Sequence, residues 1–379
     1  MELLTVDTVC DYVASQLGSH PEAPLDCSKL QAQEVTGGNL NYAFAVRDAK
    51  GHAVFVKQAP DFIKVIGPAA QLTRERMRLE VQVYQEWVDK GAEMSRYIPR
   101  IWKFDEEAMA FIMEFLGSSQ LLQQSLFQGE AQETLAKSLG ECMAIMHSRT
   151  HCSKLDAGGR ARLAASYENR LLRDIQLEYV FSKCYREDPR AAMLREDSGF
   201  MTEVENLKAI YNGQNQENLS LCHGDLHAGS VMVDGAASSV KIIDPEFAVF
   251  GPPGLDVGSL LSTYVLAYCF HSAQKHSCCS QILFAAQQIW EAYVEAMKAA
   301  GISSDLLGTI EVETLGFIGC EVARTALGLA FARSLRIEDT ELKARAEARA
   351  LELGATCIRR RSEGMAALRA AILEFDAKE

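Results

Sequence analysis

The strongest chemical signal is one stretch that concentrates acids and histidines. It reads Leu221-Cys222-His223-Gly224-Asp225-Leu226-His227-Ala228-Gly229-Ser230 and, after two apolar runs, Ile242-Ile243-Asp244-Pro245-Glu246. Carboxylates at the ends of short strands can face one site, as phosphoryl transfer requires. One must accept or orient the proton of the attacking hydroxyl, and others must hold the Mg²⁺ that neutralises nucleotide phosphates. Asp225, on a loop after a strand, suits the first role. Asp244 and Glu246, two residues apart, suit the second. His-Gly-Asp alone is only a turn, and Asp-Pro-Glu alone only a helix start. Joined by a strand-turn-strand unit, they form a motif in context. The competing chemistry is a metal site without ATP, built from His223, His227, Asp244 and Glu246. It is disfavoured because His223 and His227 share a loop containing Gly224, without the helical face that fixes two zinc-binding histidines. His223 is expected to orient the loop.

A second group lies near the N-terminus. Gly37-Gly38 permits backbone approach to phosphates, and Asn39 and Asn41 place amide donors beside it. Lys57 sits on the return strand, where its ammonium can meet the α/β-phosphates. Glu80, on the next helix, can pair with it. Glycine-rich loop, strand lysine and helix glutamate follow the logic of kinase nucleotide sites. Alone, these residues describe an ordinary hairpin with a solvated lysine; the acidic motifs downstream favour function. Met113-Glu114-Phe115, just before Gly117, stands where backbone groups of a two-lobed kinase meet the adenine edge. All of Lys57, Asp225, Asp244 and Glu246 are present, which weighs against a catalytically inactive nucleotide-binding protein.

These residues need a sheet and a helical body to hold them. Leu40, Tyr42, Phe44 and Val46 alternate with Asn41, Ala43 and Ala45, the period of a strand, and Ala53 to Lys57 returns after a turn at 49–51. A short helix is expected over Val6 to Leu17, and another over Thr73 to Lys90 with Met77, Val81, Tyr84 and Val88 on one face. Two strands, Arg100 to Phe104 and Met109 to Glu114, complete a five-stranded antiparallel sheet. Helices are then expected at 131–149, 160–182, 255–271, 280–300, 308–331 and 339–375. One β island is expected at 219–243. The fold class is α+β and two-lobed: residues 1–116 form a nucleotide-binding sheet with one helix against it, and residues 117–379 form a helical lobe with the catalytic loop. Gly117-Ser118-Ser119 marks the boundary, and Lys57, Asp225 and Asp244 are expected in the cleft.

Composition agrees with a globular enzyme. The 379 residues are 48% hydrophobic and 23% charged, enough for two domains. Lys and Arg number 38 against 51 Asp and Glu, a net charge of −13, which argues against a broad nucleic-acid surface. The most apolar stretch, Val257 to Phe270, is interrupted by Ser259, Ser262 and Thr263 and is too short for a spanning helix. Met1 to Cys10 has no basic region and carries Glu2 and Asp7, so a cytoplasmic enzyme is expected. The 11 cysteines include no Cys-x-x-Cys pair, and most are expected to be reduced and structural.

Several motifs resemble the methylthioribose kinases: Gly38-Asn39-Leu40-Asn41-Tyr42, Lys57-Gln58-Ala59, Lys64-Val65-Ile66-Gly67, His223-Gly224-Asp225-Leu226-His227 and Asp244-Pro245-Glu246-Phe247-Ala248. So do Gly251-Pro252, Gly316-Phe317-Ile318-Gly319-Cys320-Glu321 and Arg360-Arg361-Ser362-Glu363. The resemblance runs almost end to end. It implies a protein-kinase-like fold shared with aminoglycoside and choline kinases, and ATP- and Mg²⁺-dependent phosphorylation of the 1-hydroxyl of 5-methylthioribose in methionine salvage. A homodimer is commonly implied. By the same resemblance Asp225 is the catalytic aspartate that touches the sugar. By that resemblance Asn41, Lys57, Met113, Glu114, Phe115, Asp244 and Glu246 serve ATP, with Asp244 and Glu246 also on the metal, and the residue pattern adds Gly38, Asn39 and Glu80 to the ATP site. Arg324 is a substrate-site arginine, and Ser230 takes the place where many related kinases have a metal-binding asparagine. There are two departures, both on the substrate side. Thr325 follows Arg324 where the family has a second arginine, and the loop Gly67 to Thr73 lacks the family's tryptophan. A different 5-substituted ribose, such as 5-deoxyribose, or an amino-alcohol is the alternative acceptor.

Overall fold

In the computed structural model, which describes residues 2–18, 20, 22–236, 238–329 and 335–376, the chain divides into two compact units, Met1–Ser118 and Ser119–Glu379. The first is built on a five-stranded antiparallel sheet in the order β1-β2-β3-β5-β4. Its strands are β1 (Leu30–Glu34), β2 (Tyr42–Asp48), β3 (Ala53–Gln58), β4 (Ile101–Asp105) and β5 (Ala110–Glu114). Successive side chains of a strand point to opposite faces. Phe44, Val46, Val54, Val56 and Ile112 therefore pack on one face against Val9, Val13 and Leu17 of α1 (Val9–Leu17). Phe55, Phe111 and Met113 take the other face, with Met77 of α2 (Arg76–Lys90). Lys57, two residues from Phe55, shares that second face.

Both helices start three residues later than expected, α1 at Val9 and α2 at Arg76. The stripe α2 buries also differs. It is Arg76, Met77, Glu80, Val83, Tyr84 and Trp87, whereas Val81 and Val88 are only partly buried. Two charged side chains enter an apolar stripe, which is tolerable only when each has partners.

The second unit is mainly helical. Its helices are α3 (Leu122–Phe127), α4 (Glu133–Thr150), α5 (Ala157–Ser166), α6 (Arg170–Phe181), α7 (Lys183–Glu187), α8 (Ala192–Glu196) and α9 (Ser198–Tyr211). They continue with α10 (Gly254–Ala273), α11 (Cys279–Ala299), α12 (Ser304–Ala326), α13 (Thr340–Arg359) and α14 (Met365–Asp376). The expected helix 160–182 breaks before Asn169, which takes a left-handed φ of 45°. The expected helix 339–375 breaks at Gly364, with φ 66°. The region 183–211, with no helix expected, holds α7, α8 and α9. Residues 330 and 331 of the expected helix 308–331 lie outside the described residues.

The stretch expected as one β island is split between two sheets. The strand β7 (Ser220–Cys222) pairs antiparallel with β10 (Val249–Gly251). The hairpin of β8 (Val231–Asp234) and β9 (Ser239–Ile242) pairs instead with β6 (Gln120–Leu121). Short apolar runs announce strands but not their partners, and both missing partners are two or three residues long. A core of Phe181, Tyr185, Leu207, Tyr211, Cys222, Val249, Phe317, Cys320 and Ile358 joins α6, α7, α9, α12 and α13 to β7 and β10.

Candidate active site

In the first unit, the period of two puts Lys57 opposite α2, and the helical stripe puts Glu80 on the side facing the sheet. Their side chains meet at 2.6 Å, both almost wholly buried. A buried ion pair gains little net stability, but removing one member strands the other at a cost of about 3–5 kcal/mol. Such a pair holds an ammonium in one place.

Arg76 was not singled out from the sequence. Its Nε donates to Asn41 Oδ1 at 3.0 Å, and its Nη2 donates to the Leu40 carbonyl at 3.1 Å. Further bonds reach the Leu72 and Thr73 carbonyls. One guanidinium thus ties the segment after the glycine turn to the start of α2. Its signal was a charge at a core position of the α2 stripe. Gly38 and Asn39 are exposed, Gly37 has a φ of 114°, and Asn41 is buried under Arg76. At the end of β5, Met113 is in the core. Glu114 accepts from the Arg100 amide at 3.1 Å, and the Arg47 guanidinium lies 4.4 Å from the Phe115 ring centre.

In the second unit, Asp225 follows β7 on a loop with extensive backbone anchoring. Asp256, fully buried in the first turn of α10, accepts from the His223 amide at 2.7 Å and the Gly224 amide at 2.9 Å. Its Oδ2 also lies 3.1 Å from His147 Nε2, and His147 Nδ1 lies 3.0 Å from the Tyr293 hydroxyl. Gly224 has φ 85°, and a Cβ there would fall 2.0 Å from the Phe247 carbonyl oxygen, so no side chain fits. His223 Nδ1 accepts from the Asp225 amide at 3.2 Å, while its Nε2 donates to the Ile243 carbonyl at 2.9 Å. The imidazole therefore clamps the Asp225 loop to the residue before Asp244, the orienting role expected of it. Asp256, His147 and Tyr293 were missed, because nothing local in α4, α10 or α11 announces what each packs against.

Side chains from α6, α12 and the loop itself approach the Asp225 carboxylate. Gln176 Nε2 donates to Oδ1 at 3.2 Å, His227 Nε2 lies 3.6 Å from Oδ2, and Arg324 Nη2 lies 4.0 Å from Oδ1. Arg324 is buried on α12 and pairs with Glu321 one turn earlier, at 2.7 Å. The lone arginine of an apolar helix thus has its anionic partner. The Thr325 hydroxyl donates to the Glu321 carbonyl at 2.8 Å and so is spent on its own helix. Ser230 donates to the Asp225 carbonyl at 3.1 Å.

Asp244 takes a left-handed conformation, φ 70°, which aspartate tolerates better than most residues. Glu246 is buried in the turn that follows. Their carboxylate oxygens lie within 4.8 Å of one another, and two hard oxygen donors at that separation suit one divalent cation. Donor atoms of His147, Cys222 and Asp256 also lie within 4.8 Å. They are engaged with each other and with protein groups: Cys222 Sγ donates to the Gly251 carbonyl at 3.3 Å, and the other two hold the contacts described above.

Residues 31–288 match the model of the phosphotransferase enzyme family. A methylthioribose kinase of Geobacillus is 30% identical over 92% of this chain and 90% of its own. One of Exiguobacterium sibiricum is 29% identical over 88% and 89%. Among solved structures, Plasmodium vivax ethanolamine kinase aligns over 96% of this chain and 92% of its own, with a TM-score of 0.54 at 14% identity, a likeness of fold. The small antiparallel sheet unit and larger helical unit are those of the protein-kinase-like fold. Among the described residues no helix is long and apolar enough to cross a membrane. With the family model covering well over half the chain and a methylthioribose kinase aligned along nine-tenths of it, the chain belongs to the phosphotransferase enzyme family, in the methylthioribose kinase group, and transfers a phosphoryl group to an alcohol.

Proposed function

We propose that the chain transfers the γ-phosphoryl group of ATP to the 1-hydroxyl of 5-methylthioribose, a step of methionine salvage, as a cytoplasmic homodimer. The observation that carries this is the relatives' shared activity together with an Asp225 carboxylate flanked by Gln176, His227 and Arg324. Asp225 accepts the hydroxyl proton as the γ-phosphorus bond to ADP breaks. Arg324 braces acceptor or phosphoryl oxygens. Gly38, Asn39, Asn41 and Met113 to Phe115 embrace the nucleotide, and Lys57, held by Glu80, meets its phosphates. Asp244 and Glu246 would hold Mg²⁺, whose charge, when bound, neutralises the phosphate oxygens.

The test is ADP release by the purified protein with ATP, Mg²⁺ and a panel of 5-methylthioribose, 5-deoxyribose, ribose and choline. The expectation is fastest release with 5-methylthioribose, loss of most of the rate in Asp225→Asn with ATP still bound, and loss of turnover with an intact fold in Asp244→Ala. Faster release with another panel member would replace the named acceptor. Near wild-type turnover in Asp244→Ala at saturating Mg²⁺ would remove the metal assignment.

A further inference from the structure

The helix α6 and the residue that precedes it touch the catalytic segment at two points, two turns apart. Just before its start the Asn169 side-chain Nδ2 donates to the carbonyls of Glu246 and Ala248, both at 3.0 Å. Two turns on, Gln176 donates to Asp225. Arg173 stands between them, four residues from one and three from the other, spacings that share a helix face. Its guanidinium lies over the Tyr211 ring at 5.9 Å, and it makes no ion pair among the described residues. Its Nε is buried without a hydrogen-bond partner, as is the Tyr211 hydroxyl. Tyr211 senses both neighbours: burial raises its pKa, the Arg173 charge lowers it and the Asp225 charge raises it. Arg173 and Asp225 therefore act on one small region.

Charge gives this region a task. Asp225 and Glu321 set two carboxylates beside Arg324, and an anionic phosphoryl group must arrive next to them. In the transfer, the bond from the γ-phosphorus to ADP breaks, a bond to the acceptor oxygen forms, and the hydroxyl proton passes to Asp225. The product is a phosphate monoester beside a carboxyl group, and its oxygens need a cation.

We propose that Arg173 is a further acceptor-site residue whose guanidinium binds the oxygens of the transferred phosphoryl group and of the product phosphate. This rests on the kinase function proposed above. Arg173 takes the part of a second cation, which Thr325 cannot supply from α12.

The test compares wild type with Arg173→Gln and Arg173→Lys, using the panel acceptor that the wild type phosphorylates fastest and its purified phosphate ester as product inhibitor. Loss of a charge-assisted bond should weaken product inhibition and lower kcat/KM for the acceptor roughly 10- to 100-fold in Arg173→Gln. The KM for ATP and the melting temperature should hold. Arg173→Lys should recover part of the loss, since it keeps the charge without the fork. Unchanged product inhibition and acceptor kcat/KM in Arg173→Gln overturn the role of Arg173 while the kinase function stands. Absence of acceptor-dependent ADP from the wild type overturns both. Should the glutamine variant unfold, Arg173→Met, which keeps an apolar stem on Tyr211, is judged by the same two outcomes.

Discussion

Asp256→Asn is the most informative perturbation of the scaffold behind Asp225. In the native state one carboxylate oxygen serves the His223 amide and faces His147, and the other serves the Gly224 amide. An asparagine has one oxygen, so its NH₂ group must face one of the two backbone amides, donor against donor. That leaves one buried N–H unsatisfied, at about 1–3 kcal/mol, and the surviving bond drops from charge-assisted to neutral, a further ~1 kcal/mol. The total is about 2–4 kcal/mol, which for a unit of this size lowers the melting temperature by roughly 5–15 °C. Because the lost bond also positions the Asp225 loop, kcat should fall about 100-fold, the usual cost of misplacing a reacting group by ~1 Å. The KM for ATP should move little. Thermal unfolding by circular dichroism and coupled ADP release measure the two effects. A variant that melts with the wild type and retains its kcat would refute the claim that Asp256 holds the loop.

Two further outcomes are expected. Glu80→Gln removes the partner of Lys57, so the KM for ATP should rise about tenfold, as for loss of one ordinary polar contact, with the acceptor KM unchanged; an unchanged ATP KM would disconnect the pair from the nucleotide. Burial raises the Glu313 pKa from 4.5 to about 7, against the lowering effect of its bonds from Asn215 and Asn218. The folded state therefore favours the protonated acid. This stabilisation is fully present below the unfolded value and is lost as pH rises through the folded one, roughly 3 kcal/mol in all. Glu313→Gln should gain stability over the wild type as pH rises from about 4.5 to about 7; urea midpoints that differ by the same amount across that range would refute the titration.

What could be read from the chain alone was what local rules decide. A period of two placed Lys57 on a strand face, and the order of glycine turn, strand lysine and helix glutamate singled out Glu80 as its partner. Left-handed Asp244 and glycine at 224 lie in short motifs whose residue types declare their turns. Most long helices were legible, because each repeats its apolar stripe over several turns. What failed were features set by partners distant in sequence: the division of β7 from the β8–β9 hairpin, the breaks at Asn169 and Gly364, and the helices between 183 and 211, of which α7 and α8, at five residues each, have too few turns to establish a period. The support for Asp225 comes from α4, α6, α10 and α12 together. His147, Gln176, Asp256 and Glu321 each read alone as an ordinary polar residue of its helix. Only packing, which cannot leave a buried charge or amide without a partner, selects which of them meet.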